Sequence, residues 1–239
     1  PSLGKPFSTC PKCLYNSAIL YEGYDFHDDK TFENCYDTKV YRHYIAQGKY
    51  DHTLKETLAR ALHDHFITHA LYKMLEKYDE KDIIGVMGGH ARRRDDPGYR
   101  QIVFLSKRLT EMGRLMVTGG GPGAMEATHL GAWMAGRSEA ETNEAVDMLM
   151  ASPTFKDEGW LRRSFEVMER FPLQTDYRSL AIPTWYYGHE PTAPFATDIA
   201  KYFDNSVRED GIVTIAKGGI IYTPGSAGTM QEIFQDAGQ

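Results

Sequence analysis

The stretch that decides the fold is Leu115-Met116-Val117-Thr118-Gly119-Gly120-Gly121-Pro122-Gly123. Its first four residues form a short apolar run, which is typical of a buried strand, and a glycine-rich turn follows at once. From Ala124 to about Ala135 the sequence predicts a helix. Strand, glycine turn and helix in this order are typical of a parallel sheet with helices packed on it.

The same order of elements occurs on both sides of this stretch. Ile83-Ile84-Gly85-Val86-Met87 predicts a strand that ends in Gly88-Gly89. Residues 219–223 predict a strand that leads into Pro224-Gly225-Ser226-Ala227-Gly228-Thr229, and residues 179–182 are a weaker candidate. We therefore expect an α/β fold over residues 81–239, a doubly wound, Rossmann-like parallel sheet with its glycine turns at one edge.

Residues 1–80 form an extension before this domain. Residues 1–50 are rich in Tyr, Asp, Lys and His with little periodicity, which predicts an irregular arm against the domain or a partner subunit. Residues 52–77 carry apolar positions at spacings of three and four, which predicts a helix. A start without Met and an end directly after an expected helix are compatible with a fragment of a longer protein.

Composition and charge disfavour several classes of protein. The chain has 239 residues, 41% hydrophobic and 25% charged, as in ordinary globular proteins. With 27 basic and 33 acidic side chains the net charge is -6, which disfavours a nucleic-acid partner. No apolar run approaches the roughly 18 residues that span a bilayer, so no membrane partner is expected. Three cysteines, an odd number, favour a reducing cytoplasm over a disulfide framework.

The glycine turns predict an anion site. Glycine lets backbone N–H groups approach a phosphate closely, and each turn leads into a helix N-terminus, whose dipole favours negative charge. The alternative for each turn is that glycine only allows tight packing of a helix. The residues expected around a phosphate are Gly88, Gly89, Gly119, Gly120, Gly121, Gly123, Gly225, Ser226, Gly228 and Thr229.

Two other nucleotide classes fit poorly. Residues 119–124 satisfy the loose G-x-G-x-x-G/A pattern of dinucleotide sites, but such a site needs an acidic residue about 20 positions on, at the end of the next strand. That window, residues 139–144, predicts a solvated helix. The G-x-x-x-x-G-K-S/T loop of nucleoside triphosphatases does not occur in the sequence.

Two sequence motifs, in this order along the chain, resemble those of a known protein family. Gly119-Gly120-Gly121-Pro122-Gly123-Ala124-Met125-Glu126 and Pro224-Gly225-Ser226-Ala227-Gly228-Thr229-Met230-Gln231-Glu232 resemble those of the Lonely Guy phosphoribohydrolases and their nucleotide 5′-monophosphate nucleosidase relatives. The resemblance covers residues 82–239. It implies hydrolysis of a nucleoside 5′-monophosphate to free base and ribose 5-phosphate, without a metal or other cofactor, in a homodimer or larger homo-oligomer.

The resemblance also implies two catalytic residues. Glu232 matches the family's glutamate, a carboxylate that would stabilise positive charge on the sugar as the N-ribosyl bond breaks. Arg208 is the nearest match to the family's arginine, but it lies one residue further from Pro224 than in the family pattern. Ser226 replaces a motif glycine, which restricts φ. The alternatives are a non-catalytic nucleotide sensor on the same fold, and an interaction protein that acts through residues 1–80.

Other candidates have weaker patterns. Cys10-Pro11-Lys12-Cys13 has zinc-knuckle spacing with Cys35 as a further thiol, but no second spaced pair follows. Arg92-Arg93-Arg94 could meet phosphate, although a solvated loop cluster is the favoured interpretation. For Trp185-Tyr186-Tyr187 and the adjacent His189 we favour core packing over stacking on a base. His129 is expected to pack on its helix.

Overall fold

The centre of the protein is a five-stranded sheet. A computed structural model of the chain describes residues 4–49 and 53–224. In chain order, the strands are β1 (Ile83–Met87), β2 (Leu115–Thr118), β3 (Ser179–Ala181), β4 (Asp198–Ile199) and β5 (Gly219–Tyr222). All strand pairs are parallel, and the order across the sheet is β4-β3-β2-β1-β5. The predicted α/β fold with a parallel sheet is confirmed.

Strand β1 occupies the position where the chain changes direction. Ile84 pairs with Met116 of β2 on one side and with Gly219 of β5 on the other. From β1 the chain moves outward through β2, β3 and β4, and then crosses back to add β5 on the opposite side. In open α/β sheets, ligands bind at the carboxyl ends of the strands beside such a switch point.

Helices flank the sheet and begin at capping residues. Asp96 accepts a hydrogen bond from Gly98 N at 2.6 Å and Pro97 opens its helix, while Ser138 and Glu141 form a capping box. None of the helices in the described ranges is both long and apolar enough to cross a bilayer. The helices are α1 (Ser17–Leu20), α2 (Tyr36–Gln47), α3 (Leu54–Leu75), α4 (Pro97–Glu111), α5 (Ala124–Trp133), α6 (Glu139–Leu149), α7 (Trp160–Arg170) and α8 (Ser206–Ile215).

Helix α5 leads from the glycine turn after β2 into the interior and is buried along its whole length. It packs on β1, β2 and β3 and on helix α4. A Cβ on Gly131 would collide with the carbonyl oxygen of Val103, so only glycine allows α4 and α5 to lie this close. This packing fixes the N-terminus of α5, and with it the glycine turn, at the carboxyl edge of the sheet.

The N-terminal extension shares the core of the sheet domain. Tyr15 and Ile199 exchange two backbone hydrogen bonds of 2.9 and 2.8 Å, which cover the outer edge of β4. Phe7 and Leu20 are buried in the same hydrophobic cluster as Leu115. The region that the sequence predicted to be irregular contains the twelve-residue helix α2, and the predicted helix over residues 52–77 corresponds to α3.

Candidate functional site

The ends of β1, β2 and β5 come together at one point. The backbone N–H of Ala124 donates to the carbonyl oxygen of Gly89 at 3.0 Å. Gly123 has a φ of +74°, and a Cβ there would collide with the same oxygen. A Cβ on Gly89 would lie 2.6 Å from Thr223 Oγ1, directly after β5. At Gly89 and Gly123 the space that glycine leaves is therefore filled by neighbouring turns.

The third glycine turn falls mostly outside the part of the chain that the structure describes. The carbonyl oxygen of Pro224, the last described residue, lies 3.5 Å from the Cβ position of Gly89, so this turn starts beside the first one. The predicted site residues outside the described ranges are Gly225, Ser226, Gly228, Thr229 and Glu232, and their roles stay predictions.

Gly119 and Gly121 border a small cavity, here called the glycine-turn cavity. A Cβ on Gly119 would lie 2.8 Å from Arg208 Nη2, and one on Gly121 would lie 3.6 Å from Glu190 Oε2. Gly120, between them, packs on Ala181 and Pro183 instead. Gly88 follows β1 with a φ of +87°. The glycine-turn cavity is lined by Gly119, Gly120, Gly121, Glu190, Lys201 and Arg208, among others.

Arg208 is brought to the glycine turn from a distant part of the sequence. It lies in the first turn of α8, and its guanidinium carbon is 5.0 Å from the centroid of the Tyr187 ring. The same guanidinium lies beside Gly119 and lines the glycine-turn cavity. A guanidinium can bind a phosphate through two parallel hydrogen bonds. The structure thus brings together Gly119, Gly121 and Arg208 of the predicted site.

Glu190 is a cavity residue that the sequence did not reveal. It follows the short 3-10 helix Trp185–Tyr187, and its side chain is 21% exposed. Its carboxylate borders the glycine-turn cavity and two larger clefts. Its nearest basic group among the described ion pairs is His189 Nε2, at 4.0 Å. Glu190 therefore presents negative charge to a cavity that Arg208 makes positive on another side.

Lys201 and Asp37 lie between the glycine-turn cavity and one of the larger clefts. Lys201 is 1% exposed, and its Nζ donates to both carboxylate oxygens of Asp37 at 2.7 and 2.8 Å and to Thr192 Oγ1 at 2.8 Å. Trp185 Nε1 donates to Asp37 Oδ1 at 2.8 Å. The three N–H groups of the ammonium are thus satisfied by protein. The pair links the N-terminal extension to the glycine-turn cavity.

A second buried ion pair supports the helix that follows the glycine turn. Glu126 of the first motif is fully buried and accepts hydrogen bonds from Arg94 Nε at 3.1 Å and from Tyr99 Oη at 3.0 Å. Arg94 is 1% exposed and also donates to the carbonyl oxygen of Trp160 at 3.0 Å. Burial raises the pKa of the Tyr99 hydroxyl, and the Glu126 carboxylate raises it further. The prediction of a solvated arginine cluster was wrong for Arg94, whose charge is neutralised by Glu126, whereas Arg93 is exposed.

The cleft next to this ion pair is basic. It has a volume of about 590 Å³ and opens beside Gly123, at the N-terminus of α5. Its lining includes Arg92, Lys156 and His189, and we call it the basic cleft. Arg92 donates to Asp96 at 3.0 Å, so part of its charge is already compensated.

The remaining sequence candidates lie in the core or form no cluster. Trp185 is fully buried, as predicted for core packing, whereas the same prediction was wrong for Tyr187 and His189, which are 38% and 60% exposed. His129 is buried between Thr118 and Ser179, and burial lowers its pKa to about 3. Within the described residues, no group of three or more His, Cys, Asp or Glu side chains is placed to hold a metal ion. The thiols of Cys10, Cys13 and Cys35 are free.

Comparison with protein-family models gives no match, and comparison with curated proteins gives none either.

Proposed function

We propose that the protein hydrolyses the N-glycosidic bond of a nucleoside 5′-monophosphate and releases the free base and ribose 5-phosphate. The observation that carries this proposal is the position of the Arg208 guanidinium against Gly119, at the carboxyl edge of a doubly wound sheet. A guanidinium beside a glycine turn suits a phosphate dianion.

Apart from water, the proposed chemistry needs only groups of this chain. Water adds to the anomeric carbon of the ribose as the bond to the base breaks, and the departing base takes up the proton that the water releases. Phosphate binding at the glycine turns supplies energy that holds the ribose in place, remote from the bond that breaks. As the bond to the base breaks, positive charge develops on the sugar, and a carboxylate nearby stabilises it. The resemblance of residues 224–232 assigns this role to Glu232. Neither a metal nor a redox cofactor takes part in the proposed reaction.

The test is to incubate the purified protein with AMP, GMP, CMP and UMP separately and to measure free base by chromatography. At least one should release base, and Glu232→Gln should lower kcat by on the order of a hundredfold or more. The matched control is Glu169→Gln, on an exposed part of α7, which should leave kcat unchanged. Activity that survives Glu232→Gln would contradict the assignment of that residue.

One sequence feature favours a second function, a nucleotide sensor without catalysis. Ser226 stands where the motif has glycine, and a side chain there restricts the turn that precedes Glu232. Binding of nucleoside monophosphates without release of base over hours would favour the sensor and end the enzyme proposal.

We also propose that the protein is a homodimer or larger homo-oligomer in the cytoplasm. Helix α3 carries Leu54, Leu58 and Leu62, spaced by four residues and 74%, 54% and 41% exposed. This spacing places them on one face of the helix. A contiguous apolar face of this kind is typical of a protein–protein contact, and a second copy of the chain is the partner that the resemblance implies.

A further inference from the structure

A third cavity, next to the proposed phosphate site, has aromatic walls. It has a volume of about 480 Å³, and we call it the aromatic pocket. One side comes from the N-terminal extension and the other from the segment before and at the start of α7. Its apolar lining residues are Tyr24, Phe32, Tyr41, Phe155, Trp160 and Leu161.

The aromatic pocket adjoins the glycine-turn cavity. Glu190 and Pro191 line both the aromatic pocket and the glycine-turn cavity. Asp37 lines the former and Lys201 the latter, so a single ion pair of 2.7 Å separates the two spaces at this point. The two spaces therefore approach each other at Glu190.

The side chains along these adjoining spaces can contact the parts of a nucleotide in order. Arg208 lies at the phosphate end, where a dianion is favoured. The carboxylate of Glu190 comes next, and a carboxylate accepts hydrogen bonds from hydroxyl groups, as on a ribose, while it repels phosphate. The far pocket offers aromatic faces, on which a planar base stacks.

The wall of the aromatic pocket is held rigid by the buried ion pair of the first motif. The guanidinium carbon of Arg94 lies 4.3 Å from the centroid of the Trp160 ring and fixes one face of it. Arg94 is in turn held by Glu126 on helix α5. The position of Trp160 is thus tied to the same helix that starts at the glycine turn.

From this geometry we propose that the aromatic pocket binds the base of the nucleotide, and that Glu190 marks the position of the sugar. The N-terminal extension then contributes directly to ligand binding, through Tyr24, Phe32 and Tyr41. This inference rests on the proposed function for the identity of the ligand, but it concerns binding and does not require hydrolysis.

The test fills the aromatic pocket without touching the phosphate site. Thr38 lines the pocket from α2, and its neighbour Lys39 is exposed and lines none of the cavities described above. We expect Thr38→Trp to weaken binding of AMP at least tenfold, because the indole occupies the space of the base. Binding of ribose 5-phosphate, which has no base, should stay within twofold of the wild type. The matched control Lys39→Trp should change neither affinity.

Calorimetry on the purified wild type and variants gives both affinities, with circular dichroism to check folding. Phe155→Ala is the second variant, because Phe155 lies in a loop and its removal takes away a stacking face without filling space. It should weaken AMP binding severalfold and leave ribose 5-phosphate unchanged. Equal losses for AMP and ribose 5-phosphate in both variants would overturn the assignment of the aromatic pocket, as would wild-type protein that binds ribose 5-phosphate as tightly as AMP.

This experiment separates the two proposals. Selective loss of AMP binding in a protein that never releases base would support the aromatic pocket and reject the hydrolase. Release of base that persists unchanged in Thr38→Trp at subsaturating AMP would support the hydrolase and reject the pocket assignment.

Discussion

Lys201 and Asp37 form a buried ion pair between residues 164 positions apart in the sequence. The ammonium donates all of its N–H groups to protein oxygens, two on Asp37 and one on Thr192. Asp37 belongs to the N-terminal extension, whereas Lys201 follows β4 at the edge of the glycine-turn cavity. The N-terminal extension is therefore held to the cavity wall by a buried ion pair. Separation of this pair would leave a buried charge without its partner.

Removal of one member of this pair should destabilise the protein strongly. In Asp37→Asn the buried ammonium of Lys201 loses its counterion. In Lys201→Met the buried carboxylate of Asp37 loses its counterion. We expect each change to lower the free energy of unfolding by about 3 to 5 kcal/mol, the usual cost of a buried charge without its partner. Urea unfolding followed by circular dichroism measures the loss.

The double variant Asp37→Asn, Lys201→Met should lose less than the sum of the single losses, because no unpaired charge remains. Glu144→Gln is the control, since it breaks an exposed ion pair with Arg170, 3.0 Å long, and should have little effect. Additive losses in the double variant would show that the two side chains do not act as a pair.

His129 should make the stability of the protein sensitive to acid. Burial lowers its pKa to about 3, well below the ordinary value of about 6.5. Between these values the unfolded chain binds a proton that the folded protein does not. The stability that depends on neutral His129 is therefore complete above pH 6.5 and falls by about 1.4 kcal/mol per pH unit towards pH 3.

The expected measurement is a comparison of urea unfolding at pH 7 and pH 5. From pH 7 to pH 5 the wild type should lose about 2 kcal/mol more than His129→Gln, which cannot take up the proton. His65→Gln, at an exposed position of α3, serves as the control and should lose as much as the wild type. Identical losses in the wild type and His129→Gln would mean that His129 is protonated in the folded protein at pH 5.

The strands that the sequence predicted most clearly have a continuous apolar run that leads into a glycine turn, and the weaker candidate at residues 179–182 corresponds to β3. β1 and β2 have this pattern because both faces of the sheet are covered there, whereas β5 lies at the edge and its residues are half-buried or exposed. β4 was not predicted, since Asp198–Ile199 is too short to show any periodicity. Its pairing depends on β3 and on Tyr15, which lies far away in the sequence.

The sequence predicted the candidate site mainly at its glycine-rich turns. Gly119 and Gly121 border the cavity, as the motif suggested, and Arg208 reaches it from a position that matched the family pattern imperfectly. Glu190 lies in an irregular segment, where neither helical nor strand periodicity indicates which side chains face a cavity. The position of Glu190 depends on the packing of this segment against the glycine turn that follows β2. The Gly and Pro residues of this segment, Tyr187-Gly188-His189-Glu190-Pro191, predict a turn. They do not predict which side chain faces a cavity.

The proposed homo-oligomer should depend on the exposed leucines of α3. Leu58→Glu with Leu62→Glu places two charges in the apolar face, and we expect a monomer by size-exclusion chromatography with light scattering. Because the two side chains are 54% and 41% exposed, the fold should survive the change. Leu105→Glu, at a position of α4 that is 45% exposed, should leave the assembly intact. A monomeric wild type at micromolar concentration would reject the proposal.

Arg208 should recognise the phosphate of the nucleotide and not its nucleoside part. Its guanidinium lies against Gly119 and lines the glycine-turn cavity. Loss of a charge-assisted hydrogen bond costs about 1.5 to 3 kcal/mol, so Arg208→Ala should weaken AMP binding by roughly ten- to a hundredfold. Adenosine, which has no phosphate, should bind as to the wild type.

Arg208→Lys sharpens this prediction, because lysine keeps the positive charge but lacks the planar fork of the guanidinium. If two parallel hydrogen bonds hold the phosphate, Arg208→Lys should recover only part of the affinity that Arg208→Ala loses. Arg100→Ala is the matched control, since Arg100 pairs with Asp147 on another surface and should not affect either ligand. Calorimetry with AMP and adenosine on the four proteins decides the question: equal weakening of AMP and adenosine by Arg208→Ala would show that Arg208 shapes the cavity without contacting phosphate.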